Sequence, residues 1–315
     1  MKVRAEPMKP FREVRADNLD SVGLKKEMET HGYVMVRSLL ASKDLNALLR
    51  DISEILRDAG WLNPASNPIE RISSVDAPCV YDDLRYKVIR DKVFGLQSFH
   101  AFPHQPLLQT VMKLLVGEQL LVHPKSEARL IFPNFEPGII HAHQDHTAVG
   151  GDENSFTAWI PLHDCPVAQG PLRILDNSHR LGLLPTVDDT GFISLDAERG
   201  SDWVGGDINA GDVLLFHSLT VHEAAPNRSN RLRVSVDCRF QSYERAVNPA
   251  TLVFTGRRSW KSTYADWTSD ELKYYWTKLP LHLKPSKLEL AELAEAAESP
   301  EIRARCARIL ERLDL

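Results

Sequence analysis

The chain has 315 residues, 43% of them hydrophobic and 26% charged, enough to bury a sizeable core in a single domain or in two smaller ones. A formal net charge of −5, a pI near 6.2 and the absence of any Lys/Arg stripe argue against a nucleic-acid-binding surface. No apolar run is long enough to span a bilayer, the polar start has no apolar signal region, and four scattered cysteines without a CxxC pair fit reduced thiols, so a cytoplasmic protein free of membrane and nucleic acid is expected.

The first third reads as helical with one early strand. YVMVRSLL (33–40) has the β-branched content of a strand, and Ser42 stands as the N-cap of the amphipathic stretch KDLNALLRDISEILRDAG, which Gly60 stops. Residues 61–105 carry many turn formers and no clear period, which predicts a long loop of the kind that often forms lids. A helix is predicted around 107–116. Between about 120 and 245 the pattern changes to short apolar runs separated by turn signals: ARLIFPNF, GIIHAHQDH, SFTAWIPLHD, GPLRILDNSH, GDVLLFHSLTVHE and RLRVSVDCRF. Such spacing predicts a β-sandwich or barrel.

The last part turns helical again. TSDELKYYWTKL is predicted as a helix capped by Ser269 or Asp270, and Ser299-Pro300 separates SKLELAELAEAAE from EIRARCARILERL. In the latter, Ile302, Cys306, Ile309 and Leu313 form an apolar stripe expected to pack on the barrel, with a dimer contact as the alternative. We therefore expect one domain over 1–315: a helical N-terminal part (1–119), a β core (120–245) and a helical extension (246–315), as a monomer or homodimer.

The densest chemistry lies in HAHQDH. On a strand, His141, His143 and Asp145 would share a face, with Gln144 and His146 opposite. His143 and Asp145 then supply an imidazole and a carboxylate, two members of the 2-His-1-carboxylate set of non-haem Fe(II) oxygenases. A distal histidine must complete it, and His217 and His222 have opposite parity, so only one can face inward. His146 and His163 read as surface or loop histidines, and His179 as structural. Lys125, Glu127 and Arg129 alternate on one strand face, either solvated or lining a pocket.

Together, HQD, AWIPLHDCPVAQGPLRILDNSHRLG, GDVLLFHSLTVHEAAPNRSNRLR and GYVMVRSLLASKDLNALL make the chain resemble the phytanoyl-CoA dioxygenase family of Fe(II)- and 2-oxoglutarate-dependent oxygenases over most of residues 32–240. The resemblance implies a mainly β fold with flanking helices, built on a double-stranded β-helix (jelly-roll, cupin-like) core. It also implies Fe(II), 2-oxoglutarate and O2 as cofactor and cosubstrates, a small-molecule substrate, and succinate and CO2 as co-products. His143, Asp145 and His222 become the iron ligands. A basic residue is then required on the following strand to hold the far carboxylate of 2-oxoglutarate. Arg233 lies eleven residues after His222 on RLRVSVDC, whereas Arg228, eleven after His217, falls in the turn PNRSN, so Arg233 is assigned. Gln144 and Trp159 are implied pocket residues, and Arg129 a further candidate. The family commonly has a serine two residues after the distal histidine; here that residue is Ala224. A zinc hydrolase on a jelly-roll, or a non-catalytic binding jelly-roll, are the competing readings.

Overall fold

The computed structural model describes residues 8–187, 191–195, 202–254 and 258–313. The strands are β1 (Glu13–Arg15), β2 (Tyr33–Arg37), β3 (Leu120–Val122), β4 (Glu127–Ile131), β5 (Phe156–Pro161), β6 (Leu172–Leu175), β7 (Trp203–Val204), β8 (Val213–His217), β9 (His222–Ala224), β10 (Arg233–Ser242), β11 (Ala246–Val247) and β12 (His282–Leu283). The main sheet runs β1-β2-β8-β5-β10, and the far edge of β10 pairs with β4 and then β3. The facing sheet, β7-β6-β9, is extended by reciprocal bonds between His143 and His222. Two sheets face each other across a lumen, as the jelly-roll expectation requires.

β10 organises both layers, because its side chains alternate strictly. Val234, Val236, Cys238 and Phe240 enter the large core beneath the helices, each fully buried. Arg233, Ser235, Asp237, Arg239 and Gln241 are buried too, but on the opposite face, toward the lumen. Neighbouring strands keep the same register: Ala158, Ile160, Val213, Leu215, Val34 and Val36 point to the helices, while Trp159, Leu214, Phe216, Tyr33 and Met35 point inward. Aliphatic and aromatic residues from both sheets fill one end of the lumen. The polar face of β10 lines the rest.

Nine helices pack around these sheets among the described residues: α1 (Ser21–His31), α2 (Ser42–Asp58), α3 (Leu84–Val93), α4 (Gln97–Ala101), α5 (Pro106–Val116), α6 (His146–Val149), α7 (Trp260–Tyr264), α8 (Lys287–Ala296) and α9 (Pro300–Leu313). In α2, Leu45, Leu48, Leu49, Ile52 and Leu56 recur at helical spacing and are almost wholly buried, each contributing roughly 1.5–3 kcal/mol through desolvation. Helix α2 starts at Ser42 itself; Ala41 precedes it and no side chain caps it.

Several expectations are corrected. Residues 61–105 are not one long loop, since α3 and α4 form within them. Tyr86, Ile89 and Val93 supply an apolar helical face that the intervening Arg and Lys residues hide in a composition count. TSDELKYYWTKL forms only a 3-10 turn at Tyr275–Lys278, because Tyr274 adopts a left-handed conformation (φ 53°) and the aromatic rings turn to different neighbours. In α9, Cys306 and Ile309 are buried against Val253 and Leu290 rather than on the barrel, and Ile302 stays exposed. The stretch LPTVDDTGFISLDAERGSDWVGG (184–206), by its length a second candidate lid, lies partly outside the described residues.

The C-terminal aromatic residues lock this extension onto α4 and the sheet. His100 sits among Phe99, Trp260 and Trp267, while His104 meets the edge of Tyr275. Burial pushes His100, His104 and His123 down to about 4. The unfolded chain takes up those protons near pH 6.5, whereas the folded chain refuses them until about pH 4. Their contribution is therefore complete above pH 6.5 and is lost as pH falls through that window. Unfolding free energies from urea titrations at pH 7, 6 and 5 should fall steadily, by at most about 1.4 kcal/mol per histidine per pH unit. His123→Gln should flatten the slope; an unchanged slope would contradict the account.

Candidate metal and cosubstrate site

GIIHAHQDH is not a continuous strand. His143 alone pairs with β9, and the chain then turns, with Asp145 leading into α6. Strict alternation therefore does not hold past His143, yet the turn still brings the Asp145 carboxylate beside it. The ligand atoms of His143, Asp145 and His222 all lie within 4.8 Å of one another, the one such group of three among the described residues. The two imidazole rings are 4.2 Å apart, and His222 Nε2 is 4.0 Å from Asp145 Oδ1.

The surroundings prepare this cluster. His143 Nδ1 faces the His141 carbonyl at 2.8 Å and His222 Nδ1 faces the Thr220 carbonyl at 3.0 Å. A carbonyl only accepts, so each Nδ1 carries the proton and donates, leaving each Nε2 lone pair directed at the cluster. Burial pushes His143 down to about 3 and also lowers His222, so both rings are neutral at physiological pH. Burial alone would raise Asp145. Instead Arg239 Nη2, donating to Oδ1 at 3.2 Å, and the Thr157 hydroxyl, donating to Oδ2 at 2.5 Å, help hold it well below the usual carboxylate range. Two neutral imidazoles and one ionised carboxylate suit a divalent first-row metal.

Arg233 lies on the same lumen face, 0% exposed. Its Nη1 donates to the Gly170 carbonyl at 2.7 Å, and its guanidinium stands 5.5 Å from the centre of the Trp159 ring. Nε and Nη2 have no partner, and no carboxylate lies within ion-pair distance among the described residues. Burial accordingly lowers its pKa. Nearby, the Ser235 hydroxyl and the Trp159 indole N–H are also buried and unpartnered. Several orphaned polar groups sharing one lumen mark a place that a polar ligand completes.

The other assigned residues separate. Arg129 is in the lumen, bonded through Nε to Asp237 at 2.8 Å. Gln144 is not: its amide donates to the Gly182 and Leu219 carbonyls and accepts from Leu184 N–H, anchoring the 182–184 loop. The turn after His143 points it away from the pocket. His163, expected at the surface, is buried; its Nε2 accepts from Val234 N–H at 3.0 Å and steadies the start of β10. His217 faces Phe156 and His179, outside the cluster, while His141 is exposed with its ring against Phe192. Thr157, Ser235, Asp237 and Arg239 were missed. The last three share the parity of Arg233, so alternation along RLRVSVDCRFQS could have found them.

A facing-sheet jelly-roll with a His-x-Asp…His cluster and an inward arginine defines a non-haem iron oxygenase. Residues 28–235 match the phytanoyl-CoA dioxygenase (PhyH) family, and the chain belongs to that family. It is an Fe(II)- and 2-oxoglutarate-dependent oxygenase. It is 27% identical over 256 residues to the 1-deoxypentalenic acid 11-beta-hydroxylases of Streptomyces arenae and Streptomyces exfoliatus, spanning 74% of this chain and 86% of each relative. Among solved structures, the epimerase SnoN in complex with Fe3+, alpha ketoglutarate and nogalamycin RO matches with a TM-score of 0.54 at 21% identity, covering 72% of this chain and 85% of that one. The non-heme monooxygenase ThoJ matches with a TM-score of 0.52 at 16% identity, over 91% and 99% of the two chains. These structural likenesses support the fold.

The carbonyl that steadies Arg233 depends on a glycine. Gly170 has φ +70°, and a Cβ there would collide with the Ala225 carbonyl oxygen and press on Asn227 N. Gly170→Ala should cost about 2–4 kcal/mol in urea unfolding, through left-handed strain and backbone displacement. A cost below about 0.5 kcal/mol would contradict this reading.

Proposed function

We propose that His143, Asp145 and His222 hold Fe(II), that Arg233 binds the far carboxylate of 2-oxoglutarate, and that the enzyme hydroxylates a C–H bond of a small molecule. The carrying observation is Arg233: a wholly buried guanidinium, without a counter-ion among the described residues, in the same lumen as the ligand cluster. Leaving a charge in that state costs several kcal/mol, so a ligand that supplies a carboxylate is strongly favoured there. A zinc hydrolase would leave Arg233 without a purpose. The hydroxylase names of the curated relatives support hydroxylation and a small-molecule substrate.

When bound, Fe(II) and 2-oxoglutarate supply the oxidising chemistry, consuming O2 and releasing succinate and CO2. The chain's own residues position and protect. Nε and Nη2 of Arg233 present two parallel donors to a carboxylate. Ser235 lies two residues along the same face and offers a hydroxyl, replacing the one absent at Ala224. The indole N–H of Trp159 offers another donor, while its ring supports the guanidinium. Thr157 and Arg239 hold Asp145 ionised and oriented before metal arrives. The apolar end formed by Leu172, Ile174, Leu214 and Phe216 excludes water from behind the site.

Among the described residues no helix is long and apolar enough to cross a membrane. Our reading is a cytoplasmic enzyme, one catalytic domain acting as a monomer or homodimer, with neither nucleic acid nor membrane as a partner.

Anaerobic titration of Fe(II)-loaded protein with 2-oxoglutarate, followed by its visible charge-transfer band, tests the assignment. Arg233→Met should weaken 2-oxoglutarate roughly 100-fold, and Ser235→Ala roughly tenfold, with metal affinity preserved in both. Equal loss of metal and 2-oxoglutarate in Arg233→Met would sink the assigned role. An unchanged titration in Ser235→Ala would remove the hydroxyl from the site.

A further inference from the structure

The proposed function leaves the substrate open, and the charges around the lumen narrow it. Exposure rises from Arg233, His222 and Asp145, which are almost wholly buried, to Arg129, Glu127, Lys125 and His143, which are partly exposed, and then to His141. The lumen therefore opens between the β4 edge and the His141–His143 segment. Tyr81, before α3, and Arg90, on it, border this mouth: Arg90 acts on Lys125, and Tyr81 feels Glu127 and Arg129.

Among the described residues, lumen and mouth hold the cations Arg90, Lys125, Arg129, Arg233 and Arg239, with Arg305 of α9 also acting on Lys125, against the carboxylates Glu127, Asp145 and Asp237. Arg129 is paired with Asp237 and Arg239 with Asp145. Arg233 is the cosubstrate partner in the reading above. A divalent metal and a dianionic cosubstrate cancel, so loading the site leaves the excess of positive charge in place. Part of that excess resides at the mouth, where Lys125 and Arg90 outnumber Glu127. Lys125 is half-buried, and its ammonium makes no hydrogen bond or ion pair with any described residue. Arg90 is 9% exposed, lies against the Tyr81 and Phe94 rings and donates Nη1 to the Tyr81 hydroxyl, but its Nε is buried without an acceptor. One carboxylate, Glu127, acts on Lys125 along with Arg129 and Arg239. Burial is the largest influence on Lys125 and pulls its pKa down, a strain that an arriving anion relieves.

We infer that the substrate is an organic anion whose acidic group, a carboxylate or phosphate ester, is held by Lys125 and Arg90 at the mouth while its apolar body reaches toward the metal cluster past Phe192. The Phe192 ring, beside His141 and His143, gives that body an apolar wall. This inference rests on the oxygenase reading. Neither cation is needed for metal or 2-oxoglutarate, so the two ideas fail separately.

The test is calorimetric and needs no turnover. Protein loaded with Mn(II) and saturating 2-oxoglutarate is titrated with matched pairs: 1-adamantanecarboxylate against 1-adamantanecarboxamide, and geranyl phosphate against geraniol. In at least one pair the anion should bind about tenfold more tightly or better, and the pair that responds identifies the acidic group. Lys125→Met and Arg90→Met should each reduce that preference to below about threefold while 2-oxoglutarate affinity is unchanged. Lys125 makes no hydrogen bond with any described residue, so its variant keeps the test readable should Arg90→Met not fold. Equal affinity within both pairs, absence of binding included, overturns the inference, as does a preference that survives in Lys125→Met. Failure of Mn(II)-loaded protein to bind 2-oxoglutarate would instead overturn the oxygenase reading and carry this inference with it.

Discussion

A guanidinium sealed from water without an anion is the constraint on which the rest of this structure depends. Proteins rarely bury arginine unpaired, because desolvation of the charge costs several kcal/mol even after relaxation. Here Arg233 is held by one carbonyl, one aromatic face and the rigidity of β10, whose other face is locked into the main core. The apolar half of β10 thus stabilises the fold and offsets the cost of its polar half. Stability and function are divided between alternate residues of one strand.

The ligand cluster follows the same logic. Each imidazole is fixed through Nδ1 by a backbone carbonyl two residues earlier, and Asp145 is kept ionised by an arginine and a threonine that come from β10 and β5. Because those two strands are paired directly, with Thr157 opposite Arg239, the carboxylate is gripped by one rigid ladder. The site is preorganised by main-chain register rather than by flexible side chains. Arg239 also means that the carboxylate does not stand alone before a metal binds, which lessens the penalty of building an acidic pocket in a low-dielectric lumen.

Much of this was legible in the chain. The strong strand RLRVSVDC and the turn PNRSN select Arg233 over Arg228, and with it His222 over His217, and six apolar runs between turn signals announce facing sheets. What could not be read has identifiable causes. HAHQDH looks like a strand because its alternation is polar on both faces; nothing local reveals that the chain turns after His143, and Gln144, a pocket residue only by family resemblance, instead anchors the 182–184 loop. Helix α3 was hidden because charged residues on its outer face obscure Tyr86, Ile89 and Val93. TSDELKYYW has helical composition, yet its aromatic side chains are claimed one by one by His104, Tyr264 and Trp260, and tertiary packing overrides local preference. His163 carries no sequence signal at all, since its role is to accept a bond from the backbone of a strand some seventy residues away.

The most direct measurement of the central claim is the electron density of crystals grown with Mn(II) and 2-oxoglutarate. The account predicts metal on His143, Asp145 and His222, and a dianion whose far carboxylate lies against Nε and Nη2 of Arg233 with the Ser235 hydroxyl beside it. Density showing the metal on other residues, or the dianion bound elsewhere with Arg233 still unpartnered, would contradict it.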